Sequence, residues 1–208
     1  MKSSNILTLH SLLALVAALS LQVTAARAQD AVWQNSYQFE SSGKYTEAIS
    51  AMESVPANGP DAELKLLRRG WLFYLCGQYD QSIREYRLAI ERNSHSIDAR
   101  LGVALSLLAS KRWREADQAA RTVLDRAPHN YTALVRQAMA QEGLQDWPAL
   151  TRTAQTLVAD FPSDATAYTY LARAYAWQGK IAEAAGAYQA VLVRYPTHAE
   201  AKAYIDKK

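Results

Sequence analysis

Beyond its first thirty residues the chain alternates apolar and polar positions at helical spacing, and this local pattern recurs at a longer period. Large apolar residues stand at Tyr45, Tyr79, Trp113, Trp147 and Ile181, each thirty-four residues after the last. Small residues keep the same interval at Ser36, Gly70, Ala104, Ala138 and Ala172. They do so again at Ala48, Ser82, Ala116 and Ala184, with Leu150 as the exception. Another column reads Phe39, Phe73, Leu107, Gln141 and Tyr175, apolar except for Gln141. Pro128, Pro162 and Pro196 share the phase, which runs back through Ser94 to Pro60. Five units of thirty-four residues follow without an insertion: 29–62, 63–96, 97–130, 131–164 and 165–198.

Each unit reads as two antiparallel helices. Small side chains in the eighth and twentieth columns let the two backbones approach, and the large columns fill the space beside them. Gly43, Gly77 and Gly179 mark the turn between the helices, where glycine relieves the strain of a helix end. Pro148 suits the first turn of a helix, and the closing prolines end the second helix of their units. Pro56 is expected to shorten the second helix of the first unit. The tail 199–208 reads as a short capping helix with Ala201, Tyr204 and Ile205 turned inward and its lysines and Asp206 in water. In the stretch "GQYDQSIREYRLAI", Tyr79 and Tyr86 are packing residues and Ser82 and Ala89 face the partner helix. Arg84, Glu85 and Arg87 are assigned to solvent.

The N-terminus is a different kind of segment. Met1-Lys2 precede an apolar run from Ile6 to Leu21, and Ala26-Arg27-Ala28 closes it with small residues. That order predicts a secretory signal peptide over 1–28, cleaved after Ala28. The competing reading is an uncleaved anchor, but the apolar core falls short of the ~20 residues a spanning helix needs. Cleavage removes two bases and no acid, taking the net charge from +3 to +1, so nothing in the charge balance suits nucleic acid. No stable membrane span is expected after cleavage. The expected location is exported, periplasmic. Cys76 is the only cysteine, so no internal disulfide can form; it is read as a buried free thiol rather than a redox group.

No catalytic constellation is visible, and no cofactor is implied. His95, His129 and His198 lie between units, and His95 and His129 are one period apart. A metal needs three or four converging ligands, so these are read as loop histidines and no metal is assigned. Motifs of metalloproteases, phosphate-binding loops and serine hydrolases are missing. Acids such as Glu115, close to Arg112 and Arg114, are read as members of surface ion pairs.

Length, column chemistry and closing proline resemble the tetratricopeptide repeat family, over essentially all of the chain after residue 28. The resemblance implies an all-α, right-handed α-solenoid of five helix-turn-helix repeats plus the capping helix. It further implies that first helices line a concave face. Carried onto this sequence, the inward positions hold Trp33 and Tyr37, with Glu40 alongside, then Leu67, Arg68, Trp71, Tyr74 and Leu75. They continue through Leu101, Leu105 and Leu108 to Val135, Arg136 and Met139, and end with Tyr170, Arg173 and Trp177. Tyr74 and Trp177 are alternatively packing residues between units. Aromatic rings with spaced arginines dominate binding hot spots, and arginine grips carboxylates through two hydrogen bonds. The function implied is a non-enzymatic scaffold or adaptor of the cell envelope that binds another protein or an extended peptide. Two alternatives are an accessory subunit for envelope polysaccharide synthesis or export, and a self-assembling structural protein; homo-oligomerisation is left open.

Overall fold

A computed structural model describes residues 30–207, so the predicted signal peptide over 1–28 lies outside the described residues. The described residues form helices and no strand. Helix α1 covers 30–41, and α2 is Tyr45–Ala51, followed by a 3-10 turn at Met52–Ser54. Next come α3 (Ala62–Leu75), α4 (Tyr79–Arg92), α5 (Ile97–Ala109) and α6 (Trp113–Leu124). The chain continues through α7 (Tyr131–Gly143), α8 (Trp147–Asp160), α9 (Ala165–Trp177) and α10 (Ile181–Arg194) to α11 (Ala199–Asp206). These are five helix pairs and a single last helix. In α2 the α-helix spans only 7 residues, and its 3-10 extension stops two residues short of Pro56.

Helix starts and stops repeat with the sequence period. Position thirty-four of four units caps the next first helix: Ser96, Asn130, Asp164 and His198 each accept a backbone N–H three residues on, from Ala99, Ala133, Ala167 and Ala201. His198 is therefore more than a loop histidine, since its Nδ1 accepts from Ala201 at 3.2 Å. The turn inside each pair is a left-handed residue at position fifteen: Gly43, Gly77, Lys111, Gln145 and Gly179, with φ of 58–72°. Around Gly77 the backbone N–H groups of Gly77 and Gln78 return to the carbonyls of Tyr74 and Phe73, which satisfies the open end of α3. Lys111 and Gln145 make the same turn without glycine and carry the strain of a Cβ in that region.

Packing follows the small columns. Ser36, Ala104, Ala138 and Ala172 are fully buried, as are Ala48, Ser82, Ala116, Leu150 and Ala184. Tyr86 lies flat against two glycines, since a Cβ on Gly70 would come within 2.9 Å of its ring and one on Gly102 within 2.4 Å. Successive pairs are also tied through position thirty. Arg92 donates to the Ala57 and Gly59 carbonyls, Arg126 to Ser94 and Arg194 to Pro162, each in the preceding loop. In the fourth unit Asp160 stands there and takes His129 Nδ1 at 2.7 Å, the same tie with polarity reversed. Glu85 departs from the solvent position expected for it: it ion-pairs with Arg69 at 2.9 Å, and its side chain is only 12% exposed. The neighbouring helix α3 supplies the arginine, which position within α4 alone does not reveal.

The first helices touch one another along the stack: α5 meets both α3 and α7, and α7 meets α9. Second helices make no comparably extensive contact with each other, so the first helices form the inner layer. The last helix closes the array as expected, with Ala201 buried, Tyr204 and Ile205 half-buried, and Lys202, Asp206 and Lys207 exposed. Glycine is the residue a left-handed turn favours, so Lys111→Gly and Gln145→Gly should each stabilise the fold by about 1 kcal/mol, and Gly77→Ala should destabilise it by about as much. Urea unfolding of the three variants checks this.

Candidate partner-binding groove

The inner face begins with a polar knot between α1 and α3. Arg68, 6% exposed, donates from Nε to Ser36 Oγ at 3.1 Å and pairs through Nη1 with Glu40. Its guanidinium carbon also lies 3.9 Å from the centre of the Tyr37 ring, a cation–π contact. The other Glu40 oxygen accepts from Trp71 Nε1 at 2.7 Å, and Trp71 stacks on Tyr74 with centroids 5.5 Å apart. Trp33 is half-buried against Ala48, Met52, Val55 and Leu72. Arg68 thus serves as a strut here, and replacing it would disturb the packing of the first two pairs.

The far end holds a second strut. Arg173 donates to Glu200 at 2.6 Å and to Glu142 at 3.2 Å, joining α9 to α11 and α7. Tyr188 Oη also donates to Glu200, at 2.7 Å. Hydrogen bonding from Arg173 holds the Glu200 carboxyl below its usual range, and the bond to Glu200 raises Arg173 in return. Tyr170 is 8% exposed, and burial pushes its phenol up to about 12. It still lines a cavity of about 300 Å³ with Thr166, Arg173, Tyr195 and His198. Trp177 is 68% exposed and stacks at 5.3 Å on Trp147, nearly parallel.

Arg136 differs from both struts. It is half-buried, and its Nη1 donates to the Leu101 carbonyl, but among the described residues it makes no ion pair. Burial lowers its pKa, and the ionisable groups that act on it are the phenols of Tyr86 and Tyr74 rather than carboxylates. It is thus a partly desolvated cation on the inner layer with no anion opposite. Met139, one turn further along α7, is exposed.

The nine groove positions therefore gather as Trp33, Tyr37, Arg68, Trp71 and Tyr74 at one end, and Tyr170, Arg173 and Trp177 at the other, with Arg136 between them. Glu40 was noted in sequence only as a neighbour, and Glu142 and Glu200 were not singled out. A usable signal existed, because Glu40 and Glu142 share the twelfth column and Arg68 and Arg173 lie in the unit that follows each. Among the described residues no group of three His, Cys, Asp or Glu could hold a metal, and no helix is long and apolar enough to cross a membrane. Cys76, half-buried at the end of α3, has its thiol pushed up by burial.

A tetratricopeptide repeat family model matches residues 151–199. Among solved structures, a tetratricopeptide repeat protein from Parabacteroides merdae is similar over 87% of this chain and 72% of its own, at 16% identity and a TM-score of 0.76. MamA from Desulfovibrio magneticus RS-1 is similar over 83% of this chain and 97% of its own, at 15% identity and a TM-score of 0.73. A further MamA crystal structure gives 16% identity, 79% and 96% coverage and a TM-score of 0.71. A search of curated protein sequences gives no match. These likenesses establish the fold.

The depressed Glu200 carboxyl sets a pH dependence with a definite sign. Its stabilisation is present above the ordinary value of 4.5 and is lost as pH falls through the lower folded value. Thermal melts should therefore show a loss of stability on acidification that is smaller in Glu200→Gln, and that variant should be less stable than the parent at neutral pH.

Proposed function

We propose that this chain, which has the fold of tetratricopeptide-repeat proteins and matches their family model over residues 151–199, is a non-enzymatic scaffold or adaptor that holds an extended segment of another protein against its first helices. The observation that carries this reading is the contrast among the three arginines at the groove positions; of the other first-helix arginines, Arg69 pairs with Glu53 and Glu85, and Arg100 donates to the Ser94 carbonyl in the loop before α5. Arg68 and Arg173 are neutralised by carboxylates of the chain itself, whereas Arg136 has none. A half-buried cation without an anion gains most from an incoming carboxylate, because both charges sit where water screens them poorly. The occupant is accordingly an acidic segment, with a carboxylate at Arg136 and its neighbouring side chains on Tyr74, Trp71 and Met139. The signal-peptide pattern over 1–28 supports a place in the cell envelope, in the periplasm, where such a scaffold would serve assembly or export of a surface component.

The test is photo-crosslinking in cells from two exposed positions, Met139 on the inner layer and Val193 on the second helix α10. The account expects a defined protein adduct from Met139, none from Val193, and recovery from the periplasmic fraction with the chain beginning after Ala28. Arg136→Glu should abolish the adduct, and Arg136→Lys should retain part of it. Equal adducts from both positions, or an adduct indifferent to Arg136→Glu, would overturn the groove reading. An adduct on an unprocessed chain would overturn the placement alone.

A further inference from the structure

The junction between the third and fourth helix pairs is built unlike its neighbours. In the seventh column Val103 and Leu171 flank Gln137, and in the eleventh Leu107 and Tyr175 flank Gln141. The flanking residues belong to or pack against the apolar core, whereas Gln137 and Gln141 are 9% and 3% exposed. Both glutamine amides donate to Asp117 Oδ1, at 3.3 and 3.2 Å, and Thr153 donates to Gln137 Oε1 at 3.4 Å. Asp117 is also paired with Arg121 at 2.7 Å. Gln141 Oε1 is buried and accepts no hydrogen bond. Polar side chains in core columns give up apolar packing, and such local exceptions gather where a protein has a use for them.

These residues border a cavity of about 340 Å³ between α6, α7 and α8, within the roughly 300–1,000 Å³ range of small-molecule sites. Ala149 helps to open it, standing in a column that holds Glu47, Gln81, Glu115 and Glu183 in the other units. Arg152 and Asp125 also line the cavity; both are exposed, and neither makes a side-chain hydrogen bond or ion pair among the described residues. The cavity draws on two second helices and on the face of α7 that bonds to them, so it is separate from the groove around Arg136.

We propose that this cavity is a binding site for a small zwitterion, an α-amino acid with a hydrogen-bond donor on its side chain. Arg152 takes the carboxylate, Asp125 takes the ammonium group, and the side chain meets the amide-lined floor formed by Gln137 and Gln141. Arg121 also lines the cavity but is already paired with Asp117, which leaves one cation and one anion without a partner among the described residues; these match a zwitterion better than a lone phosphate, which Asp125 would repel. A sugar would look for an aromatic face to stack on, and no ring lines the cavity.

Calorimetric titration and thermal shift of the purified chain test this, with the common L-amino acids, glucose and inorganic phosphate as probes. The expected result is saturable binding of one or more amino acids with donor side chains, and a rise in Tm. Arg152→Ala and Gln141→Leu should each weaken that binding by about tenfold or more. Arg152 is exposed, so its variant tests the site without a burden on folding, and helix content by circular dichroism checks the second. Failure of every amino acid to bind, binding unchanged in Arg152→Ala, or binding of glucose or phosphate in their place would overturn the proposal. The groove reading would be untouched, since neither variant replaces Arg136 or another groove position.

Discussion

The close approach of two helices at the eighth and twentieth positions of each unit is the constraint on which the rest depends. Ser36 Oγ donates to the Ala48 carbonyl at 3.1 Å, and Ser82 Oγ to the Gly70 carbonyl at 2.6 Å, so the small columns meet directly. With the backbones that close, the ring of Tyr86 can lie between Gly70 and Gly102 and join two units at once. A larger residue at either glycine would push the ring out, and the first helices of neighbouring units would part. Their mutual contact sets the inner layer, and the inner layer sets which side chains share a surface.

On that surface, charge is allotted unevenly. The ends carry arginines whose partners come from the chain, Glu40 for Arg68 and Glu142 and Glu200 for Arg173. Such pairs hold helices in register, and at the Arg68 end, where the arginine is buried, losing Glu40 would leave a covered charge without its partner. The middle carries Arg136, anchored by one backbone carbonyl. The inner layer is therefore cross-linked by ion pairs at both ends, while Arg136 between them makes no ion pair among the described residues.

Much of the architecture was legible in the chain because it depends on local rules repeated in phase. Small residues, closing prolines and glycine turns each act within one unit, and their recurrence announced helix pairs. The short second helix of the first pair followed from Pro56 by the same local logic. What was not legible depends on neighbours brought together by stacking. Glu85 looked solvated on its own helix, yet Arg69 of α3 lies against it. Lys111 and Gln145 occupy a left-handed turn that their side chains do not advertise, since only the phase of Gly43, Gly77 and Gly179 points there. Arg68, Arg136 and Arg173 look alike in sequence, and only the carboxylates opposite two of them separate struts from a free cation.

That separation is the central claim, and the side-chain Nε–H resonances of Arg68, Arg136 and Arg173 test it most directly. A glutamate-rich peptide titrated into the labelled chain should shift the Arg136 resonance in a saturable way and leave Arg68 and Arg173 in place. An Arg136 resonance that does not move at any peptide concentration, or three arginines that move alike, would contradict the account.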